Sequence, residues 1–305
     1  MKIIFIHGMN QQNYNAENLK QHWLDIFKQG IHNLELNVAI EQLDISLPFY
    51  GDLITKHHLS NRFDLGTFLP KSVLNFHLHK NMKNADFKIH QLEQTIPQLP
   101  YFTPNPNLAI STRLYLASQF MKDEVLKEFS LIINQFPELH ANLIHKFLIE
   151  AYLYLDNSEF MNEVHQRILE RLEKGQQYII VAHSLGTIIA YNLIRQFQSE
   201  YTIERFITLG SPMAFNVIQS KLSHPIVRPS SLSGDWHNFY SHDDCLSTLP
   251  LINAPFNFHP EIINTSISTF INSPHDIVGY LQHPAVIQNI LELIIGIHCI
   301  KPPRK

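Results

Sequence analysis

The chain of 305 residues has few cysteines, no excess of positive charge and no long hydrophobic run. Its two cysteines, Cys245 and Cys299, are too few for a disulfide framework and do not form a Cys-x-x-Cys pair. A small secreted scaffold stabilised by disulfides is therefore not expected. This cysteine usage favours a reducing compartment, and we expect a cytoplasmic protein.

The charge balance argues against nucleic acid as a partner. Lys and Arg number 23 against 27 Asp and Glu, which gives a formal net charge of −4. A chain of this charge has no general attraction for phosphate backbones or anionic membrane surfaces. The hydrophobic fraction of 45% and the charged fraction of 16% are typical of a folded globular protein.

The hydrophobic segments are all short. Residues 3–6 are apolar but are followed at once by His7 and Gly8, so this run indicates a strand and not a signal peptide. The later apolar run over residues 290–297 is interrupted by Glu292 and Gly296, well before the ~20 residues that span a bilayer. We therefore expect no membrane span.

Histidine is frequent, with 19 residues, and most of them are interpreted as surface or packing residues. His77 and His79 would share one face of a strand, but no third ligand lies at a spacing typical of a metal site. These histidines therefore predict no metal site, and no cofactor is expected.

The first fifty residues resemble a βαβ unit. Residues 2–6 form an apolar β-branched run, and Leu19, Trp23 and Phe27 follow at helical spacing, with Gly30 as the predicted helix stop. A second strand-like run covers residues 38–43. Such units build parallel sheets with right-handed crossovers.

Residues 52–155 carry few strand signals and are interpreted as a helical cap inserted into the sheet protein, so the core comprises residues 1–51 and 156–305. Strong helical patterns cover residues 108–133 and 139–155. Their apolar faces are placed where they would roof a cleft, and they include Leu116, Phe120, Phe147 and Tyr154.

Alternating strands and helices resume after the insertion. Apolar strand patterns cover residues 178–182, 206–209 and 237–240, and the segments between them carry helical apolar faces. A last helix is predicted over residues 284–297. The fold class is α/β, with a mostly parallel sheet flanked by helices.

A candidate nucleophile follows the strand over residues 178–182. The segment Ala182-His183-Ser184-Leu185-Gly186 has the small-x-Ser-x-Gly form of a nucleophile elbow, a sharp turn between a strand and a helix. Small residues are needed because bulk two positions from the serine would collide with neighbouring backbone. The Leu185 N–H would lie at the helix N-terminus and stabilise an oxyanion, and the Met9 N–H, beside Gly8, is the predicted second donor.

A serine hydroxyl needs a neighbouring base, and the base needs a carboxylate that fixes its orientation. The expected chain order is Ser, acid, His. Asp244 and His275 satisfy this order, each in a loop after a predicted strand, whereas Asp243 and Asp235 remain alternatives for the acid.

The chain resembles the α/β-hydrolase superfamily, and more narrowly a bacterial group of mostly unassigned hydrolases. The shared motifs are Ile6-His7-Gly8 with Gln11-Gln12, Phe49-Tyr50-Gly51-Asp52, the elbow, Thr208-Leu209-Gly210-Ser211-Pro212, Trp236-His237-Asn238-Phe239-Tyr240 and His275-Asp276-Ile277-Val278-Gly279-Tyr280. The resemblance implies Ser184 as nucleophile, Asp244 rather than Asp243 as acid, and His275 rather than His283 as base. Two features depart from the group's pattern: Ala182 replaces the first elbow glycine, and Cys245-Leu246 follows the acid.

The expected function is hydrolysis of a carboxylic ester or thioester of a small molecule, with an acyl or lipid-like group suggested by the apolar cap. Two alternatives stay open. One is a non-catalytic relative that binds a ligand or partner in the same cleft, because fold alone does not fix function. The other is an acyltransferase that passes the acyl group to an acceptor other than water.

Overall fold

The computed structural model of the protein describes residues 1–8, 11, 13–60, 157–270 and 272–296, together with Phe147, Glu150, Ala151, Tyr154 and Leu155. Most of the predicted cap, including Leu116 and Phe120, lies outside the described residues. The same holds for Met9, His77 and His79.

A six-stranded sheet forms the centre of the described structure. Its strands lie in the order β2-β1-β3-β4-β5-β6, and every pair of neighbours is parallel. This confirms the predicted α/β class, with a sheet that is parallel throughout the described strands. The strands are β1 (Lys2–Ile6), β2 (Ile45–Ser46), β3 (Gln177–His183), β4 (Thr202–Leu209), β5 (Leu232–Tyr240) and β6 (Ile263–Ser266).

Helices cover both faces of the sheet. On one face, α1, α6 and α7 pack on Ile3, Phe5 and other strand residues of the same parity. On the other face, α2, α3, α4 and α5 pack on the alternate residues, such as Ile4 and Ile6. The helices are α1 (Ala16–Asn33), α2 (Gly51–Ser60), α3 (Ser158–Leu169), α4 (Leu185–Ile194), α5 (Asn216–Gln219), α6 (Ile277–Leu281) and α7 (Pro284–Ile295).

Burial on both faces explains why the central strands appear in the sequence as continuous apolar runs. In β3, every residue after Gln177 is buried, and the segment is a continuous apolar run up to Ala182. A parallel sheet between two helical layers requires such runs, because neither face meets water. Among the described helices, none is long and apolar enough to cross a membrane.

The strand predicted over residues 38–43 is wrong. Ile40–Gln42 forms a 3₁₀ turn, and the pairing with β1 is made by Ile45–Ser46, with Ile3 opposite Ile45. The apolar residues Val38 and Leu43 instead pack on the edge of the core that α1 covers. Their spacing reflects contact with a helix layer and not membership of the sheet.

Gly30 is not the helix stop that the sequence predicted. Helix α1 continues to Asn33, and Gly30 lies inside it. A Cβ at this position would lie 2.7 Å from Ile287 Cδ1 of α7 and 3.1 Å from Gln282 Cα. Glycine therefore allows α1 to approach the α6–α7 connection closely.

The described ends of the predicted cap segment pack on the core. Phe147 and Tyr154 are fully buried with Leu53 and Ile54 of α2, on the face of the sheet that α2, α3 and α4 cover. The Tyr154 hydroxyl lies 2.8 Å from His165 Nε2 of α3.

Two ion pairs also link α2 to α3. Lys56 Nζ lies 2.7 Å from Glu163 Oε1, and Arg167 Nη2 lies 3.0 Å from Asp52 Oδ2. The beginning of the inserted segment is thus anchored beside its return to the core. The assignment of residues 52–155 as a separate cap stays a prediction.

Candidate active site

The predicted nucleophile lies at the carboxyl end of β3, where the chain turns into α4. Ser184 has φ 54° and ψ −129°, and it is one of two non-glycine residues with positive φ in the described part of the chain. A side chain in this region strains the backbone by roughly 1–3 kcal/mol. The turn is held by the Ser184 N–H, which donates to Leu209 O of β4 at 3.0 Å.

Two glycines allow other backbone segments to approach this turn. A Cβ at Gly186 would lie 2.4 Å from both Ile6 O and His7 O, so α4 can start beside β1 only with glycine there. A Cβ at Gly8 would lie 2.8 Å from Ser184 Cβ. Ala182, which departs from the usual elbow pattern, is fully buried among the core side chains.

The structure brings Ser184, His275 and Asp244 together. His275 Nε2 lies 2.7 Å from Ser184 Oγ, and His275 Nδ1 lies 2.7 Å from Asp244 Oδ2. All three residues are buried, and Asp244 is 0% exposed. A hydroxyl, an imidazole and a carboxylate in this order form the hydrogen-bonded chain that general-base activation of a serine needs.

The alternatives weighed in the sequence lie elsewhere. Asp243 is exposed, and its backbone N–H donates to Ser241 Oγ at 3.3 Å. Asp235 Oδ2 lies 3.9 Å from Arg205 Nη2, and its side chain is half exposed. His283 caps helix α7, because its Nδ1 accepts from the Ala285 N–H at 3.2 Å. Of these candidates, Asp244 is the residue within hydrogen-bond distance of His275.

The Asp244 carboxylate has further donors that the sequence analysis missed. Its Oδ1 accepts from the Leu246 N–H at 3.0 Å, and its Oδ2 accepts from Ser247 Oγ at 2.9 Å and from the Tyr280 hydroxyl at 2.6 Å. Burial and the adjacent carboxylate raise the pKa of Tyr280 well above its usual value, so the phenol keeps its proton. The available signal was the position of Tyr280 five residues after the predicted base.

The loop after β1 is ordered around His7. The His7 ring stacks on Tyr50 with ring centroids 3.8 Å apart, and His7 Nε2 accepts from the Tyr50 N–H at 3.3 Å. His7 Nδ1 donates to Gly8 O at 2.9 Å. Burial lowers the pKa of His7 to about 4, so the ring is neutral at neutral pH. These bonds fix the backbone next to Ser184.

Of the two predicted oxyanion donors, Leu185 is described and Met9 is not. Leu185 is the first residue of α4 and is buried. The N–H groups of a first helical turn have no acceptor within the helix, and the helix dipole places partial positive charge there. The Leu185 amide is therefore suited to an anion beside Ser184.

His183 packs beside the base without a charge of its own. Its ring centroid lies 5.1 Å from that of His275 and 5.7 Å from that of Tyr280. Burial, with a smaller effect of the neighbouring His275, lowers the pKa of His183 well below its usual value. A neutral His183 supports the position of the His275 ring through packing.

No group of three or more His, Cys, Asp or Glu residues that would hold a metal ion occurs in the described part of the chain. A cavity of about 270 Å³ lies between the β5–β6 edge of the sheet and α7, lined by residues such as His237, Ile263 and Asn289. None of Ser184, His275 and Asp244 lines this cavity.

Comparisons with known proteins add little to this geometry. No protein-family model and no curated protein matches the chain. A crystal structure of a protein from Pectobacterium atrosepticum, described as a YdeN-like hydrolase, is similar over 43% of this chain and 68% of its own, with 19% identity and a TM-score of 0.30. The parallel sheet agrees with the predicted α/β class, and membership of a hydrolase group stays a prediction.

Proposed function

We propose that the protein is a serine hydrolase that cleaves a carboxylic ester or thioester through an acyl-enzyme. The observation that carries this proposal is the chain of two 2.7 Å hydrogen bonds from Ser184 Oγ through His275 to Asp244. The position of the serine on a strained turn at the carboxyl edge of a parallel sheet supports it, because ligands of open α/β sheets bind at that edge.

In the acylation step, Ser184 Oγ attacks the carbonyl carbon of the substrate. His275 Nε2 takes the hydroxyl proton as the new C–O bond forms, and Asp244 stabilises the resulting imidazolium through Nδ1. The tetrahedral intermediate then collapses, and His275 returns the proton to the departing alkoxide or thiolate. The products of this step are the acylated Ser184 and a free alcohol or thiol.

The oxyanion of the intermediate needs donors that are in place before the reaction. We assign this role to the Leu185 N–H and, as the second donor, the Met9 N–H. Gly8 supports the second assignment, because the absence of a side chain there leaves room beside Ser184. Loss of one such donor typically lowers kcat by about 10²–10³-fold.

Deacylation reverses the roles. A water molecule loses a proton to His275 Nε2 and attacks the acyl carbon, and the proton then passes to Ser184 Oγ as the free acid leaves. These steps use only the side chains of Ser184, His275 and Asp244 and the backbone amides, so we propose a mechanism without metal or cofactor. The proposed substrate is a small-molecule carboxylic ester or thioester, and the cysteine usage supports a cytoplasmic setting.

The proposal is tested by hydrolysis of aryl esters with the wild-type chain, Ser184→Ala and Ser231→Ala. Ser231 is the matched control, because it is also buried but its hydroxyl donates to Ile194 O at 2.7 Å. We expect turnover by wild type and Ser231→Ala, and a loss of at least about 10³-fold in Ser184→Ala.

The same assay separates the alternatives. A non-catalytic binding protein would show no turnover that depends on Ser184. An acyltransferase would form mainly the transferred ester when an alcohol acceptor is added, whereas a hydrolase releases the free acid.

The length of the acyl chain tests the predicted apolar cap. If apolar cap residues line the acyl pocket, kcat/KM rises from acetate to octanoate, and each buried methylene contributes up to about 0.8 kcal/mol until the pocket is full. A steady fall from acetate onward would indicate an open site without such a lining.

A further inference from the structure

Three groups besides His275 donate hydrogen bonds to Asp244, the acid of the proposed triad. The Tyr280 hydroxyl lies 2.6 Å from Asp244 Oδ2, Ser247 Oγ lies 2.9 Å from the same oxygen, and the Leu246 N–H lies 3.0 Å from Oδ1. The two hydroxyls and His275 Nδ1 therefore all contact the same carboxylate oxygen, Asp244 Oδ2.

The two hydroxyls also contact each other, with Ser247 Oγ 2.7 Å from the Tyr280 hydroxyl oxygen. Two hydroxyl hydrogens thus serve three short oxygen–oxygen contacts. The charge on the carboxylate favours hydrogens that point to Asp244 Oδ2, because bonds to an ionised acceptor are about twice as strong as neutral ones. Asp244 Oδ2, Ser247 Oγ and the Tyr280 hydroxyl oxygen therefore form a buried triangle of short contacts.

A short stretch of backbone connects Tyr280 to the proposed base, His275. Tyr280 lies in α6, and the N-cap of that helix, Asp276, directly follows His275, with Asp276 Oδ1 accepting from the Val278 N–H at 2.9 Å. One short segment therefore presents both His275 Nδ1 and the Tyr280 hydroxyl to the same oxygen. A shift of the carboxylate would break both contacts at once.

The absence of a side chain at Gly210 leaves room for the Tyr280 ring beside Asp244. Gly210, which follows β4 with φ +57°, faces the Tyr280 ring, and a Cβ there would lie 3.2 Å from two ring carbons and 3.3 Å from Asp244 Oδ2. Tyr280 is 0% exposed. The ring is fixed by packing, and the hydroxyl is fixed by the carboxylate.

We propose that Tyr280 and Ser247 are positioning residues, which hold the Asp244 carboxylate so that Oδ2 faces His275 Nδ1. This inference rests on the proposed function. A carboxylate rotates easily about its Cβ–Cγ bond, and a buried charge turns toward whatever donors surround it. Hydroxyl donors that stay fixed on Oδ2 hold the carboxylate in place and so keep His275 in the orientation that accepts the Ser184 proton.

The test uses the rate at which a fluorophosphonate probe labels Ser184, which needs no knowledge of the natural substrate. Tyr280→Phe removes one oxygen and keeps the ring. We expect the second-order rate constant to fall about 10- to 100-fold, the effect of losing a hydrogen bond to a buried charge. Ser247→Ala is expected to lower it severalfold.

Tyr178→Phe is the matched control. Its hydroxyl also bonds within the fold, donating to Glu173 O at 3.0 Å, but it lies at the opposite end of β3 from Ser184. We expect its labelling rate to stay within about twofold of wild type, because the lost bond does not touch the triad.

A double-mutant cycle separates positioning from packing. In an Asp244→Ala background, Tyr280→Phe has no carboxylate to release, so we expect less than about a twofold further change. An equal fall in both backgrounds, or no fall in the wild-type background, would overturn the inference. With an active aryl ester, the loss should appear in kcat and leave KM within about twofold.

Two controls keep the outcome clear. Thermal unfolding of each variant shows whether it folds, and Ser247→Ala carries the same test if Tyr280→Phe does not. Failure of the folded wild-type chain to react contradicts the proposed function and this inference with it, whereas labelling of wild type without an effect of Tyr280 or Ser247 contradicts the inference alone.

Discussion

Two adjacent acidic residues have opposite surroundings at the site. Asp244 is fully buried, and its two oxygens accept hydrogen bonds from four groups. Asp243 is exposed at the surface of the same loop. Because a buried carboxylate needs donors to offset its lost hydration, the loop conformation selects Asp244 for the interior.

Replacement of each carboxylate by an amide tests this distinction. Asp244→Asn should lower kcat by about 10³–10⁴-fold, because the amide no longer fixes the tautomer and orientation of His275. Asp243→Asn should change kcat by less than about twofold. Steady-state kinetics on an aryl ester, with circular dichroism to check folding, gives the answer. Equal losses in both variants would remove the proposed role of Asp244.

The sequence predicted Ser184 from the elbow pattern. Chain order indicated a loop acid followed by a histidine, and the family resemblance favoured Asp244 over Asp243 and His275 over His283. The sequence did not predict the contacts of Ser247 and Tyr280. Those two residues are separated by 33 positions, and their hydroxyls meet only after β5, β6 and α6 have packed. A buried tyrosine is usually a core residue, so its type alone did not indicate a role beside the acid.

Among the secondary-structure elements, the contact between α1 and the α6–α7 connection depends on a single small residue. Gly30 lies in α1 where the helix faces Ile287 and the backbone of Gln282. Glycine inside a helix normally costs about 1 kcal/mol relative to alanine. Here the close approach of the two elements offsets that cost.

Gly30→Ala should therefore destabilise the protein in spite of its better helix propensity. The new methyl would lie 3.1 Å from Gln282 Cα, which cannot move without shifting the connection, so we expect a loss of about 1–2 kcal/mol in the free energy of unfolding. Gln29→Ala, at an exposed neighbouring position, is the control and should stay within about 0.5 kcal/mol. Urea denaturation measures both. A gain in stability for Gly30→Ala would refute the close contact.

The sequence predicted the long buried strands and failed for the short edge strands. β2 has two residues and β6 has four, with the burial pattern exposed, half-buried, half-buried, exposed. Such segments carry no clear apolar period, and only pairing with a neighbour makes them strands. The resemblance of residues 38–43 to a strand arose from packing on the α1 side of the core, which periodicity alone does not distinguish.

At the scale of the whole molecule, two buried histidines, His7 and His165, stay neutral inside the fold. Burial lowers the pKa of His7 to about 4 and that of His165 to about 4, from 6.5 in the unfolded chain. Between pH 6.5 and pH 4, the unfolded chain therefore binds more protons than the folded chain. Stability that is complete above pH 6.5 is lost as the pH falls through this window.

The free energy of unfolding should accordingly fall as the pH is lowered from about 7 to about 4.5. His165→Gln removes one titrating ring and retains a polar group beside the Tyr154 hydroxyl. We expect this variant to reduce the slope of stability against pH by up to about 1.4 kcal/mol per pH unit, the value for one proton. Urea titrations at several pH values measure the slope. Identical slopes for variant and wild type would show that His165 is not buried in a neutral state.

The chemistry proposed for the molecule depends on one reactive serine, and covalent labelling tests this most directly. A fluorophosphonate probe, followed by peptide mass mapping, should modify Ser184 stoichiometrically and no other serine. Among the serines that the structure describes, Ser184 is the one whose hydroxyl lies 2.7 Å from a histidine base that is paired with a carboxylate. Ser184→Ala should abolish the modification. Modification of a different serine, or none in a folded preparation, would contradict the assignment of Ser184 as the nucleophile.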